Sequence, residues 1–409
     1  MASLVSTAEV RAFLAHDYST HAFRIEYGGY LSNHLLHGVV ALRDLGASTE
    51  QMQRFAAHYA EKLEPDEVPA DSPEADNQGD LSEEQLKALV GKRERYGALR
   101  AFYFREIERL GVDGAIAKHL PGLIGGLAGA LLHGLIQLGY AYHLGGDDLV
   151  AEGIAYLHFA SLSFDEPAAA SEPQGEKTKL TRSAAAQLAS SVASDEFLVS
   201  EVATRVARPP LVDLHIGWIQ QGVNALSGHP ERGSAAAFAH IWDIVHSLDL
   251  DEFNGSVALD FVMWLYVMVD HNDFVVLHAV TSAWSLRQLE HLLEPTDRAR
   301  AWRVWLHVAL SALVVAKVHD YKASDVCEKC DAQLPTMPAW DAIRADALEL
   351  GGFPDEHVYK LVQVAEDHTR DAKCASQWLS PDERDFVARS AALKVIKEPF
   401  KHYQTPPTK

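Results

Sequence analysis

In the run "SNHLLHGVVAL" two imidazoles, His34 and His37, stand three residues apart, so a helix carries both on one side. Around such a helix His34 falls among the apolar Leu31, Ala41 and Leu45, and His37 lies about 60° further round. His133 sits near the middle of the uncharged stretch "GLAGALLHGLIQLGYAYHLGG" (126–146), and His278 is embedded in "FVVLHAVTSAW". His271 precedes His278 by two turns on nearly the same helical face. In "DEHVYKL", His357 and Lys360 are again three apart; the stripe Val358, Leu361, Val362, Ala365 puts His357 at its margin and Lys360 just beyond. Any one of these rings, taken alone, is more often a hydrogen-bonded core histidine, and Lys360 by pattern alone is an ordinary solvated ammonium. Several neutral imidazoles buried in separate helices are nonetheless what a metal centre in a bundle core needs. A lysine desolvated beside such an ion loses its proton. The neutral amine can then capture CO₂ as a carbamate and become a carboxylate-like ligand.

The elements that must position these groups read as helices almost throughout. "STAEVRAFLAHDY" opens on a Ser/Thr cap followed by Glu9, "GGYLSNHLLHGVVALRDLGAS" closes on Gly46, and "STEQMQRFAAHYAEKL" begins with Ser48 and Glu50. "EEQLKALVGKRERYGALRAFYFREIERLG" is helical with a break expected near Gly91 or Gly97. The stretch 126–146 is long enough to cross a bilayer. Pro121, Gln137, His133 and the glycines at 122, 125, 126, 129, 134 and 139 argue against a span, as does the lack of a second comparable one. It reads as a central helix surrounded by others, with Gly122, Gly126 and Ala130, and Gly125 and Gly129, admitting close neighbours. "SVALDFVMWLYVMVDHNDFVVLHAVTSAWSLRQLEHLL" is one long or broken apolar helical region, "RARAWRVWLHVALSALVVAKVHDY" another, and "DEHVYKLVQVAEDHTRDAKC" the last strong helix. An acidic, Pro-rich segment at 64–84 is a solvated, flexible loop, and 165–183 is a second polar linker. The pattern predicts one all-α, bundle-like domain of about a dozen to fifteen helices, with a division into two lobes near the second linker left open.

Composition removes other classes. The 36 Lys+Arg against 57 Asp+Glu leave a net charge of −21, which repels phosphate backbones and anionic lipid, so neither a nucleic-acid nor a membrane partner is expected. Three cysteines argue for a reducing interior, and the start has no basic region followed by an apolar core, so a cytoplasmic protein is the default. No signal for oligomeric state stands out. "GLIGGLAG" follows no strand and is poor support for a dinucleotide site, and no Walker loop or G-x-S-x-G elbow occurs. Cys327 and Cys330 form a lone C-x-x-C that would need Cys374 and His319 to hold zinc; reduced thiols are the simpler reading.

The blocks "YLSNHLLHGVVALRDLGAS", "GKRERYGALRAFYFREI", "LLHGLIQLGYAY", "LHAVTSAWSLR" and "DEHVYKLV" resemble, in order, those of the questin oxidase-like family, from about residue 13 to the C-terminal helix. The resemblance implies oxygen-dependent ring opening of anthraquinones in polyketide pathways, a Baeyer–Villiger-like oxidation often described as NADPH-dependent. It also implies non-haem Fe(2+) held by histidines and a carboxylated lysine. Carried over block by block, the metal ligands would be His34 or His37 from N-H-x-x-H, His133 ahead of L-G-Y, His278 from H-A-V-T, and His357 with Lys360 from H-V-x-K. With His34 as ligand, His37 becomes a partner that fixes tautomer and orientation. Members often carry histidine where this chain has Gln137 and near Trp284, so Gln137 falls at a position of catalytic or ligand character and the chemistry here is expected to be altered. The implied reactants are O₂ and a small aromatic substrate, a hydroquinone or other electron-rich polycyclic phenol. The alternatives are a metal-free NADPH-dependent oxidoreductase and a non-catalytic helical binding protein.

Overall fold

Side-chain caps set where many of the helices begin. Ser6 and Glu9 close a reciprocal pair of hydrogen bonds at the start of the first helix, and Ser48 with Gln51 does the same at the third. Asn254 and Asp273 each accept two backbone N–H groups at the start of two later, largely buried helices. The computed structural model describes residues 5–16, 23–65, 81–167, 176–206, 217–318, 321–350, 355–370 and 376–401. The expected loop at 64–84 falls largely outside these residues, as do Cys374 and His319 and the middle of the linker at 165–183.

Among the described residues the first half supplies α1 (Thr7–His16), α2 (Leu35–Asp44), α3 (Thr49–Ala60), α4 (Glu83–Ala88), α5 (Tyr96–Leu123), α6 (His133–Leu144), α7 (Asp147–Phe159), α8 (Arg182–Ala193) and α9 (Glu196–Arg205). The second half adds α10 (Trp218–Ala225), α11 (Ala235–His246), α12 (Gly255–Met268), α13 (Phe274–Leu289), α14 (Pro295–Ala316), α15 (Cys330–Gln333), α16 (Trp340–Leu348), α17 (Glu356–Arg370) and α18 (Pro381–Lys397). The strands are two residues each: β1 (Glu26–Tyr27) pairs antiparallel with β2 (Leu31–Ser32), while β3 (Thr178–Lys179) with β4 (Leu248–Asp249) and β5 (Asn272–Asp273) with β6 (Phe400–Lys401) are parallel. The fold is all-α, as its helical periodicity predicts, with more helices than the dozen to fifteen expected.

Several boundaries differ from the pattern, each for a physical reason. The break after α4 is at Gly91, in the left-handed region at φ 75°, and α5 is kinked at Gly111 rather than Gly97. The region 256–293 is two helices, because the chain leaves α12 at Val269 to pair as β5; His271 therefore lies in the connection, bonded to Asp273, and shares no helical face with His278. α8 starts at Arg182, inside the expected linker, capped by Thr181. α18 escapes the pattern because Arg384 and Lys394 interrupt its apolar stripe; Arg384 forks onto Asp260 at 2.8 and 3.0 Å, and Lys394 donates to the carbonyls of Tyr266 and Val269.

The uncharged stretch is not one helix either. Residues 124–126 form a 3-10 turn, 127–132 continue as turns, and α6 starts only at His133. Its N-terminal glycines are consumed by close packing: a Cβ on Gly126 would strike Ser161, and one on Gly129 would strike Ala160, although Gly122 faces open space. Among the described residues the helix long and apolar enough to cross a membrane is instead α14, and 83% of its apolar window is buried inside the fold.

α6 is nevertheless central, packing against α7, α13 and α2. Its glycines permit contact of helix backbones: a Cβ on Gly134 or Gly139 would come within 2.6 Å of the Cα of Leu157 on α7 or Ser285 on α13. The α6–α13 crossing joins His133 to His278, so its spacing matters to the site. Replacing Gly139 by Ala is expected to destabilise the protein by about 1–3 kcal/mol through overpacking, read as a lower thermal midpoint, whereas Gly122→Ala leaves it unchanged.

Candidate metal centre

Four helices that pack in a closed circuit, α2 on α6, α6 on α13, α13 on α17 and α17 on α2, each bring one imidazole to the middle. His34 is the N-cap of α2, His133 the first residue of α6, His278 lies one turn into α13, and His357 in the first turn of α17. Their rings form a loop of near-equal steps: His34 to His133 4.7 Å, His133 to His278 4.9 Å, His278 to His357 4.9 Å and His357 to His34 4.8 Å between centroids. Side-chain nitrogens of His34, His133 and His357 all lie within 4.8 Å of one another. All four rings are buried.

The hydrogen bonds orient the rings in the same sense. Nδ1 of His34 donates to Glu356 (2.6 Å), that of His133 to the carbonyl of Ala130 (2.5 Å), that of His278 to the carbonyl of Phe274 (2.7 Å), and that of His357 to Asp355 (2.5 Å). Carbonyl and ionised carboxylate oxygens only accept, so each Nδ1 carries a proton, and in a neutral ring Nε2 then keeps its lone pair. Every one of the four Nε2 atoms is buried without a hydrogen-bond partner among the described residues. Burial, reinforced by neighbouring rings and Lys360, holds His34 and His278 well below the usual imidazole range and His133 at about 3, so these rings are neutral. Four imidazoles with anchored Nδ1 and unpartnered Nε2, three of them held neutral by burial, fit a transition-metal ion, and carboxylate and carbonyl anchors of this kind are what fix ligand tautomers.

Lys360 lies one turn beyond His357, with no exposed area and no partner for Nζ. Burial pushes the ammonium down to about 8, although Glu356 and Asp355 favour its charge. Its expected place just outside the apolar stripe of α17 is overturned by the helix being enclosed on both sides, with His357 and Lys360 equally inside. His37 is one turn along α2 from His34, 5.2 Å between centroids, and neither of its ring nitrogens has a bonded partner. Gln137 stands within hydrogen-bonding reach of that ring, buried with an unpartnered Oε1, and Tyr140 lies 5.1 Å from the ring and donates to Gln363. Trp284 packs at a tilt against Tyr140, 4.7 Å between centroids, and donates to Asp367, away from the imidazole circuit.

Strain supports the circuit on one side. Ala130, Leu131 and Leu132 all adopt left-handed φ values of 48°, 54° and 68°, a conformation that costs each non-glycine residue about 1–2 kcal/mol. The turn aims the Ala130 carbonyl at His133, and the Leu131 N–H is held by the side chain of Gln220. Leu131 and Leu132, with His278 and residues of α12, α13 and α14, also line a narrow apolar void of about 10 Å³. On another side Phe274 packs on His278 (4.4 Å) and His357 (4.8 Å), and the β5–β6 pairing brings Phe400 to 6.2 Å from His357. Both phenyl rings are half-buried, so this side of the circuit reaches toward solvent.

Sequence patterns pick out the imidazoles but not their anchors. Glu356 and Asp355 stand in "DEHVYKL" directly before His357, and an acidic pair at a helix start would ordinarily be credited to the helix dipole. That Glu356 reaches α2, 322 residues away, is a tertiary fact. Cys327 and Cys330 are buried thiols, burial raising Cys327 to about 12, which suits inert reduced cysteines.

Neutral buried imidazoles carry a pH signature. The unfolded chain protonates them near 6.5, whereas folded His133 resists protonation down to about 3. The metal-free protein therefore loses stability as pH falls below about 6.5, because protons bind the unfolded state first. Its thermal midpoint between pH 7 and pH 5 is expected to drop more steeply than that of a folded His133→Leu variant.

No curated protein matches the chain. A family model described as questin oxidase-like matches residues 31–365, a span that includes the four anchored imidazoles and Lys360 and begins and ends inside the resemblance seen in the sequence blocks. By that match over most of its length, the chain belongs to the questin oxidase-like family.

Proposed function

We propose that the protein is a non-haem iron-dependent oxygenase acting with O₂ on an electron-rich aromatic substrate of the polyketide type, an anthraquinone or its hydroquinone. The observation that carries this reading is the set of four buried, unpartnered Nε2 lone pairs whose opposite nitrogens are all bonded outward. Imidazole donors suit zinc, copper, nickel and iron; the oxidase character of the family favours iron. His34, His133, His278 and His357 would hold the ion. Lys360, its Nζ buried among the same rings, would supply an anionic oxygen after capture of CO₂ as a carbamate. When bound, the iron supplies one-electron redox chemistry toward O₂ and the aromatic ring.

The chain's own residues do the rest. Glu356 and Asp355 hold two rings in the Nδ1–H tautomer, and their negative charge raises the basicity of those rings as donors. Phe274 and Phe400, both half-buried, offer aromatic faces to a flat substrate and exclude water from that side of the rings. The void beside His278 has no polar lining apart from that ring and is too small for anything beyond one water-sized molecule, a suitable holding place for dioxygen. His37, held neutral by burial and next to Gln137, can accept a hydrogen bond from a phenol O–H and orient the ring. Gln137 cannot itself exchange a proton at neutral pH, so the pair positions the substrate oxygen rather than deprotonating it.

Metal analysis of tag-free protein purified without chelators is expected to find about one iron per chain; zinc alone, or no metal, would overturn the assignment. Glu356→Gln preserves size but weakens the anchor, and is expected to lower metal affinity by about 10–100-fold with the fold intact. Lys360→Ala is expected to lose iron and regain it in millimolar acetate or formate, which can occupy the carbamate's place. Iron retention by Lys360→Ala without such an acid would remove the lysine from the ligand set.

A further inference from the structure

Away from the imidazole circuit, a cavity of about 360 Å³ opens between the C-terminal end of α12, the segment 322–337 and the last two turns of α18. Lys322, Lys329, Lys394 and Lys397 line it, against a single carboxylate, Glu398. The chain as a whole has 57 acidic and 36 basic side chains, so four lysines around one acid make a local reversal of sign in a strongly negative molecule. The lysines are close enough for Lys329 to disfavour the charge on Lys322, and Lys322 that on Lys394.

Two of the four have a structural task. Lys394, mostly buried, donates to the carbonyls of Tyr266 and Val269, and Lys322 donates to that of Val267, so together they close the C-terminal end of α12. Asp270 and Asp273 lie within electrostatic reach of Lys394, but Asp273 is occupied as the cap of α13, and neither lines the cavity. Lys329 and Lys397 are exposed and make no hydrogen bond or ion pair among the described residues. The remaining wall is mostly apolar, with Met337, Phe386 and Leu393, and adds two uncharged polar side chains, Gln333 and Ser390.

We infer that this cavity binds a small organic anion, its charged head between Lys329 and Lys397 and its apolar body against Phe386 and Leu393. The volume stands at the small end of ligand pockets, about 300–1,000 Å³, so the occupant is a compact amphiphile or one end of a larger anion. Carboxylate and phosphate heads share the required chemistry. The site is separate from the metal centre, and the inference does not rest on the oxygenase reading.

Calorimetric titration of the full-length protein with octanoate, octyl phosphate, inorganic phosphate and octyltrimethylammonium tests it. Saturable binding of octanoate or octyl phosphate is expected, weakening as salt rises, with the tighter of the two naming the head group. Inorganic phosphate should bind more weakly, lacking a body for the apolar wall. The double variant K329E/K397E, at two exposed positions, should bind the preferred probe about tenfold or more weakly, with its thermal midpoint and metal content unchanged. The inference is overturned if neither anionic amphiphile saturates, if octyltrimethylammonium binds as well, or if the double variant binds unchanged.

Discussion

The site turns on one requirement: four imidazole Nε2 atoms buried together with no donor to them among the described residues. An unsatisfied buried polar group costs about 1–3 kcal/mol, and proteins seldom leave several in one place. Here the other nitrogen of each ring is bonded outward, two to carboxylates and two to carbonyls. The rings are therefore held in a fixed tautomer and orientation before any ligand arrives. A bound cation would settle all four debts at once, and its absence leaves them as a standing instability.

That requirement explains features that look wasteful in isolation. Three consecutive left-handed residues are costly, yet they place the Ala130 carbonyl where it anchors His133. A charged pair, Glu356 and Asp355, is placed at the start of an interior helix because each carboxylate holds a ring. Backbone-level contact of α6 with α7 and α13 through Gly134 and Gly139 brings the helices close enough for rings from four elements to meet. The C-terminal strap, paired through β5 and β6, then brings Phe400 to the edge of His357. Precision at the centre comes from elements that are rigid and distant in sequence.

The lysines tell a parallel story about context. Lys360 and Lys394 are both buried cations by composition, and burial pushes each down to about 8. Lys394 has two carbonyls to receive its protons and serves as a helix cap, whereas Lys360 has none and sits among imidazoles. The same side chain is structural in one setting and chemically poised in the other. The difference lies in the partners that the fold supplies.

Helical class, the apolar setting of His34, His133, His278 and His357, and the three-residue spacing of His357 and Lys360 were legible in the sequence, because periodicity is a local property that reports burial. The resemblance of the ordered blocks pointed to the family for the same reason: those blocks carry the buried faces and their unusual rings. Local pattern misplaced what non-local contacts decide. It ran 126–146 as one helix, because apolarity does not reveal the turn forced by packing of Gly126 and Gly129 on the 160–161 backbone. It put His271 on a face with His278, because the pairing of β5 with residues 400–401 is invisible from 269–273 alone. The choice between His34 and His37 as a member of the circuit, the outward anchors at Glu356 and Asp355, and the complete burial of Lys360 all depend on which helices face one another. A sequence fixes which side chains seek an interior; only the packed chain decides which of them meet there.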